Sequence, residues 1–244
     1  MIKFEVFENY DELSAHAAKM FKEVLDNTKN PVLGLATGSS PVGLYKELVE
    51  MYKKDEVDFS HVTSVNLDEY VGLDGTHDQS YRYFMDEHLF NHVNIDKEKT
   101  FVPNGLAEDL VKESKEYDQR IVDLGYADLQ ILGIGPNGHI GFNEPADKLT
   151  VETHVADLLD STIEANSRFF ESKDDVPKQA ISMGLSAILN AKKIILIASG
   201  ESKAKAVAAL VDEFVTTEIP ATLLKLHPDV TVLVDKEAAS LIEE

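Results

Sequence analysis

The sequence predicts a doubly wound α/β fold: a mostly parallel sheet with helices on both faces. Short apolar runs alternate with amphipathic stretches along the whole chain. Most of the runs are continuous, as in parallel strands buried on both faces, rather than alternating. No Pro/Ser-rich linker, low-complexity tract or internal repeat divides the 244 residues, so a single domain over 1–244 is expected.

In chain order, Lys3–Phe7 reads as a strand and Asp11–Leu25 as an amphipathic helix. The apolar run Val32–Ala36 empties into Thr37-Gly38-Ser39-Ser40-Pro41 before a helix over Pro41–Lys54. Hydroxyls and N–H groups at such a helix start can cradle a phosphate, although Ser and Thr also serve there as ordinary N-caps. The strand Val62–Leu67 ends at Asp68-Glu69-Tyr70-Val71-Gly72. An Asp at the mouth of a buried strand is partly desolvated, which raises its pKa toward that of a general base; the bland alternative is a turn Asp bonded to its own backbone. Helices over Gln79–Asn91 and Leu110–Leu124 precede the strand Ala127–Ile134. The strand Lys193–Ala198 leads into Ser199-Gly200-Glu201-Ser202-Lys203 and a helix over Ser202–Phe214, whose first turn carries a lysine that opposes the helix dipole unless an anion binds there. The strand Thr231–Val234 and a helix over Lys236–Ile242 complete the series.

Composition narrows the function. With 23 Lys+Arg against 44 Asp+Glu, a formal charge of −21, the chain can hardly supply the basic patch that nucleic acid or an anionic membrane needs. The absence of cysteine excludes disulfides, thiolate metal sites and a cysteine nucleophile. No apolar run approaches the ~18 residues of a membrane span, and the N-terminal stretch has no signal-peptide core, so a cytoplasmic protein is expected.

The most informative segment follows Leu129-Gln130-Ile131-Leu132. Gly133-Ile134-Gly135-Pro136-Asn137-Gly138-His139-Ile140-Gly141-Phe142-Asn143-Glu144-Pro145 holds four glycines and two prolines in thirteen residues and fits no regular element. A buried strand thus opens into a rigid loop bearing an imidazole, two amides and a carboxylate. Gly133, Gly135 and Gly138 match the dinucleotide fingerprint G-x-G-x-x-G, but that motif opens a helix at once, whereas no helical periodicity resumes before Pro145. A lone histidine is more often a satisfied core residue than a catalyst. Here Asn137 and Glu144 flank His139, and a carboxylate beside an imidazole orients the ring and raises its basicity. His88 and His92 have i, i+4 spacing, but Glu87 precedes the pair instead of lying between them and no third ligand is suggested, so an exposed helix face is expected there and not a metal site.

TGSSP (37–41), NLDEYVG (66–72), QSYRYFM (79–85), GIGPNGHIGFNEP (133–145), ANSRFF (165–170) and SGESKA (199–204) together resemble the successive motifs of glucosamine-6-phosphate deaminases, in order and over nearly the whole chain. The resemblance implies a Rossmann-like fold and the isomerising deamination of glucosamine 6-phosphate to fructose 6-phosphate and ammonia, in amino-sugar catabolism, with no metal or organic cofactor and under a hydrolase classification. It implies that Asp68 is the enolising base and that His139 opens the ring, supported by Glu144 and Asn137. It further implies that Thr37, Gly38, Ser39, Ser40, Arg168 and Lys203 bind the substrate, with Lys203 and Arg168 supplying a local positive field that a Debye length of about 8 Å protects from the acidic surface. Some members of the family have Asp where this chain has Asn137, which cannot take a proton. Two rivals remain: a 6-phosphogluconolactonase-like hydrolase, expected to continue the His loop differently and to lack NLDEYVG, and a non-catalytic sugar-phosphate sensor, expected to carry a basic DNA-binding module.

Longer members of the family are hexamers activated by N-acetylglucosamine 6-phosphate through basic residues shortly after Asn-Glu-Pro. Here no Lys or Arg lies between Lys148 and Arg168. A monomer or weak homo-oligomer is therefore expected, with a mobile lid around 158–180 that delivers Arg168.

Overall fold

The computed structural model describes residues 2–167, 170 and 172–242. Seven strands form its central sheet: β1 (Lys3–Phe7), β2 (Val32–Leu35), β3 (Thr63–Asn66), β5 (Thr100–Phe101), β6 (Leu129–Gly133), β9 (Ile194–Ala198) and β10 (Val230–Asp235). Their order is β1-β10-β9-β6-β2-β3-β5, and every neighbouring pair is parallel. β9 and β10 are buried at every position, as their continuous apolar runs require, while β1 lies at an edge and exposes Lys3.

The helices are α1 (Tyr10–Asn27), α2 (Val42–Lys53), α3 (Tyr81–His88), α4 (Leu110–Asp123), α5 (Asp160–Asn166), α6 (Leu185–Leu189) and α7 (Ala204–Ala208). The chain crosses the sheet one way from β1 through β2 to β3 and β5, and returns the other way from β5 to β6, β9 and β10; since crossovers between parallel strands are right-handed as a rule, helices on the two legs belong to opposite faces. This reversal puts α1 and α2 on one face, where they pack together and α3 joins α2; α4 and α6 pack together on the other. The direction changes between β2 and β6, and in such sheets ligands bind beyond the carboxyl ends of the strands at that point.

A second sheet was not foreseen from the sequence. The expected strand Val62–Leu67 is β3, but beyond Leu67 the chain leaves the parallel sheet as β4 (Asp68–Tyr70), which pairs antiparallel with β8 (Gln179–Ser182), itself paired with β7 (His154–Asp157). A small core of Tyr70, Phe142, Ala156, Leu158 and Ala180 packs on it, with Tyr81, Ile163 and Phe170 at its border.

Three expected helices differ. Gln79–Asn91 shortens to α3 and a 3-10 turn over Phe90–His92, with Ser80 Oγ capping α3 at Tyr83 N (3.0 Å). Ser202–Phe214 becomes a 3-10 turn (Glu201–Lys203) and the short α7. There Lys225 Nζ bonds the carbonyls of Ala209 (2.8 Å) and Phe214 (2.7 Å), fixing the chain in a non-helical course. Lys236–Ile242 forms successive turns, one of them held by Asp235 Oδ1 accepting from Ala238 N (2.8 Å), because so short a stretch cannot outweigh helix nucleation.

Candidate active site

Four neighbouring strands, β9, β6, β2 and β3, end on the same rim, and their C-terminal loops enclose a cleft of about 490 Å³. Thr37, Gly38, Ser39, Ser40, Asp68, Asn137, His139 and Lys203, all singled out in the sequence, line it. Arg168 lies outside the described residues. Glu144 stands behind His139 and reaches the cleft through it.

Buried tyrosines from the helices set where two strands stop. Tyr45 of α2 donates from its hydroxyl to Ala36 O (2.6 Å) at the end of β2, and Tyr117 of α4 donates to Asn66 O (2.7 Å) at the end of β3. Beyond β2, the loop Thr37–Ser40 is shaped by Tyr10, whose hydroxyl accepts from Gly43 N (2.8 Å) and lies 3.0 and 2.9 Å from the carbonyls of Ser39 and Ser40. Pro41 caps α2 and does not occupy its first turn.

Asp68 occupies the junction between the two sheets, opposite Ser182 in the β4–β8 register. It is only 7% exposed. Burial, with the charge of Glu69 added, pushes its carboxyl up to about 8, near the pH at which a general base is most useful. Glu69, pointing the other way along the strand, caps α3 by accepting from Tyr81 N and Arg82 N (2.9 Å each).

The His139 loop adopts its irregular course through its own polar groups. Gly135 N donates to His139 O, and Gly138 N to Gly135 O (both 2.9 Å). A side chain at Gly135 would strike the His139 ring, so only glycine permits the imidazole to lie there. Gly138 has φ +84, a left-handed conformation suited to glycine. Asn143 Nδ2 bonds the carbonyls of Ile140 and Met183 (2.9 Å each), pinning the loop to the end of β8.

The resulting dyad is explicit. His139 Nδ1 lies 3.1 Å from Glu144 Oε2, and Asn137 Nδ2 donates to the same oxygen at 2.8 Å. Asn137 Oδ1 accepts from His139 N (3.2 Å), so both ends of this amide serve to orient the pair. Burial pushes Glu144 upward, but the hydrogen bond and charge of His139, with hydrogen bonds from Thr162 and Asn137, hold it below the ordinary carboxylate value. An ionised Glu144 keeps the proton of a neutral His139 on Nδ1 and leaves Nε2 as the basic nitrogen.

On the fourth loop, Asp235 of β10 accepts from Ser199 Oγ (2.5 Å) and Gly200 N (3.0 Å to Oδ2), holding the turn that presents Ser202 and Lys203 to the cleft. Lys203 stands immediately before α7.

Tyr81, Phe142, Thr162, Asn166 and Ser202 also line the cleft, and none was assigned there from sequence. Tyr81 and Phe142 stack at 10° interplanar angle, 6.2 Å apart. QSYRYFM and GFNEP contained the first two and ANSRFF the asparagine, but Thr162 sits in a stretch with no motif of its own. His88 is not on the bare helix face expected for it: its ring packs on Phe84 at 4.2 Å. Among the described residues no group of three or more His, Asp or Glu could hold a metal ion.

A doubly wound α/β enzyme with a polar cleft at its switch point is the class this fold and site define. A sequence model of the family described as "Glucosamine-6-phosphate isomerases/6-phosphogluconolactonase" matches residues 8–233, and the chain belongs to that family. It is 60% identical over 238 residues to the glucosamine-6-phosphate deaminase of Clostridium perfringens (strain 13 / Type A), covering 98% of each. Among solved structures, a monomeric glucosamine-6-phosphate deaminase matches with a TM-score of 0.96 at 44% identity, over 98% of this chain and 99% of that one. The 6-phosphogluconolactonase from Leishmania guyanensis matches over the full length of both chains with a TM-score of 0.78 but 18% identity, a likeness of fold alone.

Proposed function

We propose that this chain is an enzyme of amino-sugar metabolism that converts glucosamine 6-phosphate to fructose 6-phosphate and ammonia. The observation that carries the reading is the arrangement of one cleft in which a buried Asp68, on β4, stands apart from the His139–Glu144 dyad on the β6 loop, with Lys203 and the Thr37–Ser40 loop on the same rim. Deaminases at 60% identity over nearly the full length support it, whereas likeness to the lactonases stops at the fold.

The chemistry follows from the residues. Opening the pyranose needs a proton on the ring oxygen and removal of one from the anomeric hydroxyl. His139 can shuttle both through Nε2 while Glu144 stabilises the imidazolium. Asp68 then takes the proton from C2 of the open chain and returns it to C1. The resulting C2 imine adds water and releases ammonia, leaving the ketose. The likeness to deaminases supports an isomerase and deaminase, not the hydrolase that the resemblance in sequence implied. The phosphate is held by the hydroxyls and N–H groups of Thr37–Ser40 and by Lys203, with Arg168 as a further cation; residues of about 158–180 act as a lid, a reading supported by Thr162 and Asn166 of α5, which line the cleft.

No helix of the described residues is long and apolar enough to cross a membrane. We place the protein in the cytoplasm, where a phosphorylated sugar is retained, and as a monomer or weak homo-oligomer. The test is an assay coupled to ammonia release, with glucosamine 6-phosphate and 6-phosphogluconolactone as parallel substrates and EDTA in a third arm. Ammonia release unchanged by EDTA is expected. Lactone hydrolysis without ammonia release would replace this reading with the lactonase one.

A further inference from the structure

We propose that Thr162, on α5, is a positioning residue that holds Glu144 in the orientation from which it serves His139. Both donors from the catalytic loop, Asn137 Nδ2 at 2.8 Å and His139 Nδ1 at 3.1 Å, reach the same carboxylate oxygen, Oε2. The other oxygen, Oε1, accepts from Thr162 Oγ1, which comes from a different element. A carboxylate gripped on one oxygen can still pivot about its last side-chain bond, a soft and broad torsion, and carry Oε2 out of line with the imidazole. A donor on the second oxygen closes that freedom.

Two features make the grip firm. Thr162 is buried, so water does not compete for its hydroxyl, and a bond to an ionised acceptor is of the stronger kind. As a β-branched residue in a helix it has only about two favoured χ1 rotamers, so little freedom is lost when its hydroxyl takes the one that faces Glu144. The same helix is tied to the cleft a second time, where Asn166 Nδ2 donates to the Tyr70 hydroxyl (2.9 Å), two residues along β4 from Asp68. Helix α5 thereby bridges the ring-opening dyad and the strand of the enolising base, and its seating governs the geometry of both.

The kinetic arm rests on the deaminase reading; the structural arm does not. Thr162→Val preserves shape and removes the donor, and Thr162→Ser preserves the donor. With glucosamine 6-phosphate, Thr162→Val should lose roughly 10- to 100-fold in kcat with KM changed by less than about threefold, and Thr162→Ser should restore most of the rate. A carboxyl-detected NMR titration of the substrate-free protein should place the Glu144 midpoint higher in Thr162→Val than in the wild type, with Thr162→Ser returning it. A wild-type protein that releases no ammonia would defeat the functional reading while the titration still decides the role of Thr162. Equal losses in the Val and Ser variants would mean that Thr162 acts by packing, and an unmoved Glu144 midpoint would mean that its hydroxyl does not hold the carboxylate. Either overturns the proposal. Should Thr162→Val fail to fold, Thr162→Ala set against Thr162→Ser supplies the same contrast.

Discussion

Asp68 and Glu69 are consecutive buried carboxylates with opposite surroundings: Glu69 accepts backbone N–H groups from Tyr70, Tyr81 and Arg82, whereas no hydrogen bond from the described residues reaches the Asp68 side chain. Burial raises both, but at Glu69 the three N–H groups pull back against it. Asp68 has no such counterweight, and burial with the charge of Glu69 lifts its carboxyl to about 8.

That asymmetry makes Asp68 a cost to stability. Unfolded, its carboxyl titrates near 4; folded, it keeps its proton to about pH 8, so the native state binds more protons between those values. The stability present below about pH 4 is therefore lost as pH rises through about 8. Asp68→Asn should raise Tm by about 5 °C or more at pH 9, leave it nearly unchanged at pH 4, and lower turnover by about 10²–10⁴-fold. Calorimetry at the two pH values checks this; a Tm gain independent of pH would remove the desolvated carboxylate as its cause.

The same group should shape the pH profile. In the free enzyme, kcat/KM should climb with pH toward about 8, once the ionisations of the substrate itself are subtracted. The acid limb of kcat should lie lower, because the ammonium of the bound amino sugar draws the proton from Asp68. A kcat/KM profile flat from pH 6 to 9 would contradict the assignment.

Much of this was legible in the sequence, and unevenly so. The strands β2, β6 and β9 announce themselves because a doubly buried parallel strand is a continuous apolar run, and the loops after them stand out by glycine and hydroxyl content. The pair β7 and β8 was not visible: His154–Asp157 and Gln179–Ser182 are short, mixed in polarity and defined by pairing with each other and, for β8, with Asp68–Tyr70. Thr162 and Asp235 escaped for a related reason. Each acts on a loop far away in sequence, on Glu144 and on Ser199 and Gly200, and a single Thr or Asp carries no local sign of such a partner.

Lys203→Ala and Arg168→Ala should each raise KM by about 10- to 100-fold, since a charge-assisted bond to a phosphate is worth about 1.5–3 kcal/mol. On a chain of charge −21 the anion depends on these few cations, so the penalty should shrink as salt screens the wild-type attraction. Substrate titrations at low and high ionic strength test this. Equal activity on glucosamine and its 6-phosphate would mean that the phosphate is not bound here.

Substrate dependence should be hyperbolic, and N-acetylglucosamine 6-phosphate should leave it so. Glu152, Asp157, Asp160 and Glu164 occupy the stretch between Lys148 and Arg168, which has no cation of its own, so a phosphate effector there has no evident source of coupling free energy. Sedimentation and initial-rate curves with and without the effector are the measurements. A sigmoidal curve made hyperbolic by the effector would show an allosteric site.

Asn137→Asp examines the proton inventory of ring opening. The Asn137 amide donates to Glu144 Oε2 at 2.8 Å; an aspartate in its place would set a second carboxylate at that distance. Two carboxylates so close cannot both ionise freely, so the pair would hold one proton to a higher pH than either alone. While that proton is present, the substituted side chain can donate to Glu144 as the amide does, and at pH 6 the variant should keep activity within a few-fold of the wild type. Once it leaves, repulsion should turn Glu144 away from His139 Nδ1, and kcat should fall by about tenfold toward pH 9, giving an alkaline limb that the wild type lacks. Profiles of kcat from pH 5 to 9.5 for the two proteins decide the matter, and superimposable profiles would show that position 137 does not control the dyad.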